Sequence, residues 1–344
     1  MATTPTPLSD QLLTFSPLST KVQTSLLALA LSDALGGPAE FKPRGTFPHI
    51  STMQPNRNFN LPPGTWTDDT SMTLCLARAI TSPSKPPIPA DQAKLYLKWY
   101  RAGYLSAIGH CFDIGATTRA ALHIWEGAGK KADMAAVQQQ VREKLGGRFQ
   151  AGNGSLMRVL PVGLVYWRDL TVAMEVARAT SEVTHPAGMC RDACAVYTLL
   201  VGSILGAVAR GERMSKAQLL EVLYGYEFQD EELGAVLGRE SGFLELPVES
   251  VKTSGYVLHT LEAALWVFFQ TESFEEGVVR VVNLGDDADT VAAVYGGLAG
   301  VWYADELEAE GSLFWTEGVR RWREELVQRK VVEDVAKALW EIQK

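Results

Sequence analysis

The chain has 344 residues, of which 47% are hydrophobic and 21% are charged, and its formal net charge at pH 7 is -8. This composition is typical of a globular protein, and the acidic balance argues against DNA binding and against broad binding to anionic membranes. A phosphate-bearing ligand would have to be held locally, by backbone N–H groups, a few arginines or a metal ion, because the overall electrostatic field repels it.

The N-terminal stretch, "MATTPTPLSDQLLTFSPLST", is rich in Thr, Pro and Ser and has neither the basic start nor the apolar core of a signal peptide. We expect residues 1–20 to form a flexible tail. The chain has four cysteines, too few for a disulfide scaffold at this length, and no C-x-x-C pair. Reduced thiols and an intracellular location, cytoplasmic or nuclear, are therefore expected.

Helical periodicity dominates the rest of the chain. In "KVQTSLLALALSDALGG" the residues Val22, Leu26, Leu29 and Asp33 follow the 4, 3, 4 spacing of one helical face, so an aspartate lies on an apolar stripe. The β-branched stretch "VVRVVN" keeps helical spacing with Phe274 and is also predicted to be helical. Further helices are predicted over 71–81, 91–101, 133–145, 172–182, 190–210, 215–224, 255–271, 274–283, 290–303 and 317–343.

The apolar run at 194–209 is shorter than the roughly 20 residues of a membrane span and is predicted to be a tightly packed buried helix. Residues 42–64 carry five prolines and no helical period, which is typical of a functional lid or flap loop. Residues 81–90 are interpreted as a proline-rich connector. Residues 225–253 are a Gly- and acid-rich insertion whose order the sequence does not predict.

The first acidic motif is "TWTDDTSMTLC", which contains Thr67, Asp68, Asp69 and Thr70. Taken alone, it has a simple explanation, a threonine N-cap followed by acidic residues in the first turn of a helix, where the macrodipole favours them. This motif by itself is therefore weak evidence for a functional site.

A second acidic helix start follows in "LGDDADTVAAVYGGLAGVWY", with Asp286, Asp287, Asp289 and Thr290. Two such clusters facing each other would repel unless a cation lay between them. Carboxylates and threonine hydroxyls without His or Cys suit Mg²⁺, Mn²⁺ or Ca²⁺ rather than zinc. That the two clusters meet in space is a hypothesis at this stage.

The stretch "AGNGSLMRVLPVGL" places Gly152, Asn153, Gly154 and Ser155 before an apolar helix. Glycines allow a close approach of the backbone to an anion, and free N–H groups at a helix start bind phosphate. The motif lacks the third glycine of a dinucleotide fingerprint. A Gly-rich turn with a helix cap explains it equally well.

Three further residues have both a functional and a structural interpretation. Glu40 begins the flap loop after Gly37 and Pro38 have ended the first helix, and it is either a functional or an exposed loop glutamate. His185, in "THPAG", either stacks on a base or packs in a turn. Asp113, in "CFDIGATTRAAL", either contacts a ligand or caps a helix.

In this order, the stretches "LSDALGGPAEF", "WTDDTSMTLCLARAI", "GHCFDIGATTRAAL", "AGNGSLMRVLPVGL", "THPAG", "GYVLHTLEAALWVF" and "NLGDDADTVAAVYGGLAGVWY" resemble the ADP-ribosylglycohydrolase family. The resemblance implies a single all-α domain over residues 21–344, a compact orthogonal multi-helix bundle with a binuclear metal cleft. It also implies a monomer that removes ADP-ribose from modified proteins or from poly(ADP-ribose), with ADP-ribose as the product.

The resemblance assigns roles by motif. Two divalent cations, Mg²⁺ before Mn²⁺ or Ca²⁺, are expected to be bound by Thr67, Asp68, Asp69, Asp287, Asp289 and Thr290. Catalysis is assigned to Glu40, Asp68, Asp69 and Asp287. Substrate contacts are assigned to Asp113, Gly115, Gly152, Asn153, Gly154, Ser155, Met157, His185 and Tyr256.

The chemistry of these residues suits cleavage of an anomeric bond, which needs rigid binding of the ribose, an activated water and a stabilised leaving group. Glu40 or one of the aspartates is the expected general base. Three other classes of all-α metal enzyme fit less well. A terpene-type synthase needs D-D-x-x-D, which Asp68-Asp69 does not begin, and a His-Asp phosphohydrolase needs a histidine directly before an aspartate, which the chain lacks. An all-α NTP pyrophosphatase would have E-x-x-E pairs within helices, whereas the acids here lie at helix starts. The alternative is a catalytically inactive ADP-ribose-binding relative. The leaving group, arginine, serine or ADP-ribose polymer, stays open.

Overall fold

The computed structural model describes residues 8–82, 89–129 and 132–344. Within these ranges the chain consists of α-helices, short 3-10 turns and loops, with isolated β-bridges but no β-strand. The predicted all-α fold class is confirmed. The helices are α1 (Leu18–Gly36), α2 (Asp68–Ile80), α3 (Pro89–Ala102), α4 (Ala116–Gly127), α5 (Met134–Leu145), α6 (Leu160–Tyr166), α7 (Leu170–Glu182), α8 (Gly188–Ala209), α9 (Lys216–Tyr224), α10 (Glu231–Leu237), α11 (Val257–Gln270), α12 (Phe274–Val282), α13 (Ala288–Tyr303), α14 (Glu317–Glu325) and α15 (Arg329–Glu341).

Helices α1 and α13 form the centre of the bundle. Nearly every residue of α1 from Val22 onwards and all of α13 are buried, which is typical of helices packed on all sides. A Cβ added at Gly300 would lie 2.7 Å from Ala28 Cβ, and one at Gly36 would lie 2.5 Å from Asp289 Cα. The end of α13 therefore contacts the middle of α1, and the start of α13 contacts the end of α1. The two helices are antiparallel.

This antiparallel contact brings sequence-distant segments to one end of the bundle. The residues after α1 pair with those before α13: Phe41 N donates to Asp286 O at 2.7 Å, and Asp286 N donates to Lys42 O at 2.8 Å. Helix α2 begins at the same end, because the Thr67 amide donates to Asp33 of α1 at 3.0 Å. Both acidic helix starts therefore lie beside the beginning of the flap loop.

Replacing Gly300 with Val is expected to lower the free energy of unfolding by about 1–3 kcal/mol, the usual cost of overpacking a core. The reason is that the new side chain would collide with Ser25 and Ala28 of α1. Denaturant unfolding measures the change. Gly127→Ala is the matched control, since Gly127 is exposed and an added Cβ there meets no atom within 4 Å. If both variants were as stable as the wild type, the close contact between α1 and α13 would be contradicted.

The prediction of one continuous helix over 317–343 is wrong, because the segment forms two helices. Helix α14 ends at Glu325 and α15 begins at Arg329, and between them Gln328 has a left-handed backbone with φ of 51°. The physical reason is a tertiary contact: Val327 N donates to Gly64 O, at the end of the flap loop, at 2.9 Å. Residues 225–253, whose order the sequence left open, contain α10 and short 3-10 turns.

Helix α8 is long and apolar enough to cross a membrane by length and composition, but 83% of its most apolar window is buried inside the protein. The prediction of a buried helix over 194–209 is confirmed. Of the predicted tail, residues 8–20 are described: Ser9 N donates to Phe269 O at 2.8 Å, Leu13 N donates to Met214 O at 2.9 Å, and α1 begins at Leu18. Residues 1–7, and 83–88 of the proline-rich connector, lie outside the described residues.

Candidate active site

Asp33, near the end of α1, organises the start of α2. Its carboxylate accepts hydrogen bonds from the amides of Thr67 and Thr70, each at 3.0 Å, and from their hydroxyls at 3.0 and 2.5 Å. Asp33 is completely buried. Each of its oxygens is therefore satisfied by the α2 start, and the carboxylate fixes where the following acids point.

The cap of α2 differs from the one that the sequence predicts. Thr67 occupies the N-cap position, but its side chain accepts no hydrogen bond from the helix. Its hydroxyl instead lies 3.0 Å from both Asp33 Oδ1 and Asp69 Oδ2. Asp33, from another helix, accepts the Thr70 amide that a cap would satisfy. This leaves the Thr67 hydroxyl beside the acidic cluster.

The two acidic helix starts meet. Thr290 of α13 donates to Asp69 Oδ2 of α2 at 3.4 Å. One carboxylate oxygen from each of Asp33, Asp69 and Asp289 lies within 4.8 Å of the others. Because the oxygens of Asp33 are already occupied by four donors, Asp69 and Asp289 are the members of this trio with free capacity to bind a cation.

Burial, and then mutual repulsion, raises the pKa of the clustered carboxyls. The pKa of Asp289 lies well above its usual range because the group is buried and faces Asp287 and Asp33. The pKa of Glu40 is raised by burial and then by Asp289 and Asp113. Such a cluster is costly in its ionised form unless positive charge neutralises it.

Carboxylate oxygens without a hydrogen-bond partner indicate what kind of cation the acidic cluster could bind. Glu40 Oε2, Asp69 Oδ1 and Asp289 Oδ1 are buried without a hydrogen-bond partner among the described residues. Unpaired carboxylate oxygens are the hard ligands that Mg²⁺, Mn²⁺ and Ca²⁺ prefer. The residues present therefore fit a divalent cation at this position.

The Gly-rich loop closes the cleft on a second side. Asn153 Nδ2 lies 2.8 Å from both Asp287 Oδ2 and Thr260 Oγ1, so the loop is tied to the second acidic cluster. The backbone amides of Gly154, Ser155 and Leu156 donate no hydrogen bond within the part of the chain that the structure describes. These free amides are the groups that an anion would bind.

The flap loop begins in an unusual backbone conformation. Phe41 and Asp286 both have positive φ, 61° and 54°, and pair through their backbones. Such a conformation is rare for a bulky residue and is found where the surroundings impose it. Arg44 supports the turn by donating to Leu284 O at 3.1 Å and Val251 O at 2.7 Å. Glu40, directly before Phe41, is thereby held at the cleft.

These elements enclose a cleft of about 330 Å³. Most of the predicted site residues line it, and they are Glu40, Asp68, Asp113, Gly115, Gly152, Asn153, Gly154, Met157, His185, Asp287, Asp289 and Thr290. The lining also includes residues that the sequence did not single out: Phe41, Ile114, Ala116, Thr117, Thr118 and Gly255.

The sequence model of the ADP-ribosylglycohydrolase family matches residues 16–344. The chain belongs to the ADP-ribosylglycohydrolase family. It is 31% identical over 322 residues to the ADP-ribosylarginine hydrolase Tri1 of Serratia proteamaculans, across 93% of this chain and 79% of that protein. It is 25% identical to the ADP-ribosyl-[dinitrogen reductase] glycohydrolase of Rhodospirillum rubrum, across 81% of this chain and 84% of that protein.

A solved structure, an ADP-ribosylglycohydrolase-related protein complex, superposes with a TM-score of 0.74 at 34% identity, covering 95% of this chain and 99% of that one. The predicted family and its all-α fold are confirmed. As a member of this family with hydrolases among its relatives, the protein is a glycosidase-type hydrolase that acts on ADP-ribosyl groups.

Four predicted site residues of this ADP-ribosylglycohydrolase lie outside the cleft lining. Thr67 and Asp69 lie behind it in the acidic cluster. The Ser155 side chain is buried and accepts a hydrogen bond from Ser181 Oγ at 2.8 Å, so of Ser155 only the backbone is free. The Tyr256 hydroxyl donates to Glu232 Oε2 at 3.1 Å, and its ring packs against His259. Contacts of these residues with a ligand stay predictions.

Two residues of this ADP-ribosylglycohydrolase have roles that the sequence did not predict. Asp33 holds the α2 start, and the available signal was an aspartate on an otherwise apolar face. Arg44 holds the flap, and an isolated loop arginine carries no comparable signal. Asp113 does not cap α4, whose N-cap is Gly115, and its carboxyl instead lines the cleft in contact with Glu40.

Proposed function

We propose that this hydrolase depends on divalent cations and releases ADP-ribose from modified arginine side chains of proteins. The observation that carries the proposal is the meeting of two acidic helix starts whose buried carboxylates retain unpaired oxygens, next to the glutamate that begins the flap. Two relatives with 31% identity, from Serratia proteamaculans and Pseudomonas putida, are named ADP-ribosylarginine hydrolases.

Two cations, Mg²⁺ in preference to Mn²⁺ or Ca²⁺, are proposed at this cluster. Their ligands would be Thr67, Asp68, Asp69, Asp287, Asp289 and Thr290. When bound, they would supply Lewis-acid polarisation of the ribose hydroxyls and of a water. Asp33 takes no direct part in this proposal, and acts by holding the Thr67 hydroxyl and the α2 start in place.

Glu40 is proposed as the general base. Its Oε2 atom is buried and unpaired, and the residue lines the cleft beside Asp289 and Asp113. In hydrolysis the carboxylate would take one proton from the attacking water, whose oxygen bonds to the anomeric carbon as the bond to the side-chain nitrogen breaks. Glu40 then returns this proton to the departing nitrogen, which restores its carboxylate, so the products are ADP-ribose and free arginine.

The charge of the cleft favours arginine as the leaving group. Two carboxyl groups of its lining, those of Glu40 and Asp113, lie outside the proposed cation ligands, and none of the described lining residues is a lysine or arginine. A guanidinium leaving group is cationic and suits such a lining, whereas a serine hydroxyl brings no charge. The exposed ring of Phe41 at the cleft adds a surface on which a guanidinium can stack.

A substrate panel tests the proposal. Peptides carrying ADP-ribosyl-arginine or ADP-ribosyl-serine, and poly(ADP-ribose), are incubated with the protein in Mg²⁺, Mn²⁺, Ca²⁺ or EDTA, and free ADP-ribose is quantified. We expect release from the arginine peptide at least tenfold faster than from the others, and none in EDTA. Equal rates on serine would contradict the arginine assignment, and full activity in EDTA would contradict the cation dependence.

A further inference from the structure

Arg158, four residues after Gly154, is a buried cation behind the Gly-rich loop. It is 1% exposed. Its guanidinium donates to Gly154 O at 2.5 Å and to Thr184 Oγ1 at 2.7 Å, and it packs over the Tyr96 ring at 4.7 Å. No carboxylate forms an ion pair with it within the described ranges of the chain.

A buried charge is normally paired, because removing it from water is costly. The carbonyl and hydroxyl groups around Arg158 satisfy donors but supply no negative charge. Gly154, which Arg158 contacts directly, and His185, which it contacts through Thr184, both line the cleft. An anionic ligand in the cleft would therefore provide the missing counter-charge.

The first link between Arg158 and the cleft is the peptide between Gly154 and Ser155. Arg158 binds its carbonyl, and in a planar trans peptide the following N–H points to the opposite side. The Ser155 amide therefore points away from Arg158, and it has no hydrogen-bond partner among the described residues. By holding the carbonyl, Arg158 fixes the direction of this donor.

The second link is His185. Thr184 Oγ1 accepts a hydrogen bond from Arg158 and lies 2.8 Å from His185 Nδ1. Since this hydroxyl has one proton and no other acceptor in the described structure, it donates to Nδ1, and the neutral ring then carries its proton on Nε2. Burial, and then Arg158, lowers the pKa of His185 to about 3, so the ring is neutral. Nε2 lies 3.2 Å from the position of a Cβ at Gly154.

We propose that Arg158 is a positioning residue for the diphosphate of the ligand: it aims the Ser155 amide and the His185 Nε2–H into the cleft and supplies the buried positive charge that the anion pairs with. This inference rests on the proposed function only in placing a diphosphate at the Gly-rich loop. It requires neither the cations nor the choice of leaving group.

Calorimetric titration with ADP-ribose, and with adenosine as a ligand without phosphate, tests the inference. For Arg158→Met we expect at least a tenfold weaker Kd for ADP-ribose, about 1.4 kcal/mol, and an unchanged Kd for adenosine. In hydrolysis KM rises while kcat stays within about threefold, and Arg158→Lys restores part of the affinity because it restores the charge. Unchanged ADP-ribose affinity, or equal losses for both ligands, would overturn the proposal.

Lys216→Met is the matched control. Lys216 is also a fully buried basic side chain that forms no ion pair with the described residues, but it donates to Tyr303 OH and to the carbonyls of Phe268 and Thr271, none of which lines the cleft. Its loss should lower stability and leave the Kd for ADP-ribose unchanged. A similar loss of ADP-ribose affinity in this variant would attribute the Arg158 effect to general destabilisation and would count against the proposal.

A measurement on the wild-type protein keeps the inference testable even if Arg158→Met does not fold. Long-range ¹H–¹⁵N spectra, assigned with His185→Gln, should show His185 with its proton on Nε2, and Thr184→Val should abolish that single tautomer. A proton on Nδ1 in the wild type would refute the second link. If the wild type binds ADP-ribose but hydrolyses no substrate, the proposed function fails while this inference stands.

Discussion

Replacing Glu40 with Gln is expected to lower kcat by about 10²- to 10⁴-fold, the usual contribution of a general base. Glutamine keeps the size and the hydrogen-bonding oxygen of Glu40 but cannot accept a proton from water. Because Glu40 lies on the flap rather than on α2 or α13, cation binding should persist in the variant. Initial rates with an ADP-ribosyl-arginine peptide and calorimetry with Mg²⁺ measure the two quantities separately.

Glu249→Gln is the control for this change, since Glu249 is an exposed glutamate outside the cleft lining. It should have wild-type kcat. Full turnover by Glu40→Gln with bound Mg²⁺ would remove Glu40 from the role of general base and transfer it to one of the aspartates. Loss of Mg²⁺ binding in Glu40→Gln would instead make Glu40 a ligand.

The second large effect concerns Asp289, whose Oδ1 atom is unpaired in the acidic cluster. Asp289→Asn should reduce kcat by at least 10³-fold, because one charged ligand is lost from the proposed cation site. In wild-type protein, each Mg²⁺ site at 100 times its Kd should stabilise the fold by about 2.7 kcal/mol through binding to the native state alone. In the variant this stabilisation should disappear.

The same substitution is expected to have the opposite effect without cation. Burial and the neighbouring aspartates raise the pKa of Asp289, so its ionised form costs stability, and a neutral amide removes that cost. In EDTA the Tm of Asp289→Asn should equal or exceed that of the wild type. Asp334→Asn, at an exposed position on α15, should change neither activity nor the Mg²⁺ response. A lower Tm in EDTA, or a normal Mg²⁺ response, would contradict the cation site.

Local patterns in the sequence were sufficient for most helices. The 3.6-residue period of α1 and the helical spacing of "VVRVVN" in α12 both correspond to helices in the structure, because periodic burial is a property of each segment. The break between α14 and α15 could not be predicted in this way. It depends on Val327 bonding to Gly64, more than two hundred residues away in the chain, and no pattern in the segment itself records that bond.

The candidate site, too, could be predicted only in part from local sequence patterns. Residue type and spacing indicated a hard-oxygen cation site and an anion-binding loop, since these follow from the chemistry of Asp, Thr and Gly at helix starts. Which of these polar atoms are left without a hydrogen-bond partner, and so can bind a ligand, depends instead on contacts between distant segments of the chain. Asp33 supplies the cap that Thr67 was predicted to supply, and the Ser155 side chain is turned to Ser181.

By itself, the sequence determined the helical class, the family resemblance and the kinds of side chain available for the chemistry. Only the tertiary structure decided that the acidic starts of α2 and α13 meet, that Asp33 orients one of them, and that Arg158 lies behind the Gly-rich loop. The physical reason is the antiparallel packing of α1 on α13: close contacts at Gly36 and Gly300 place residues far apart in the chain a few ångströms apart, and local sequence patterns contain no such distances.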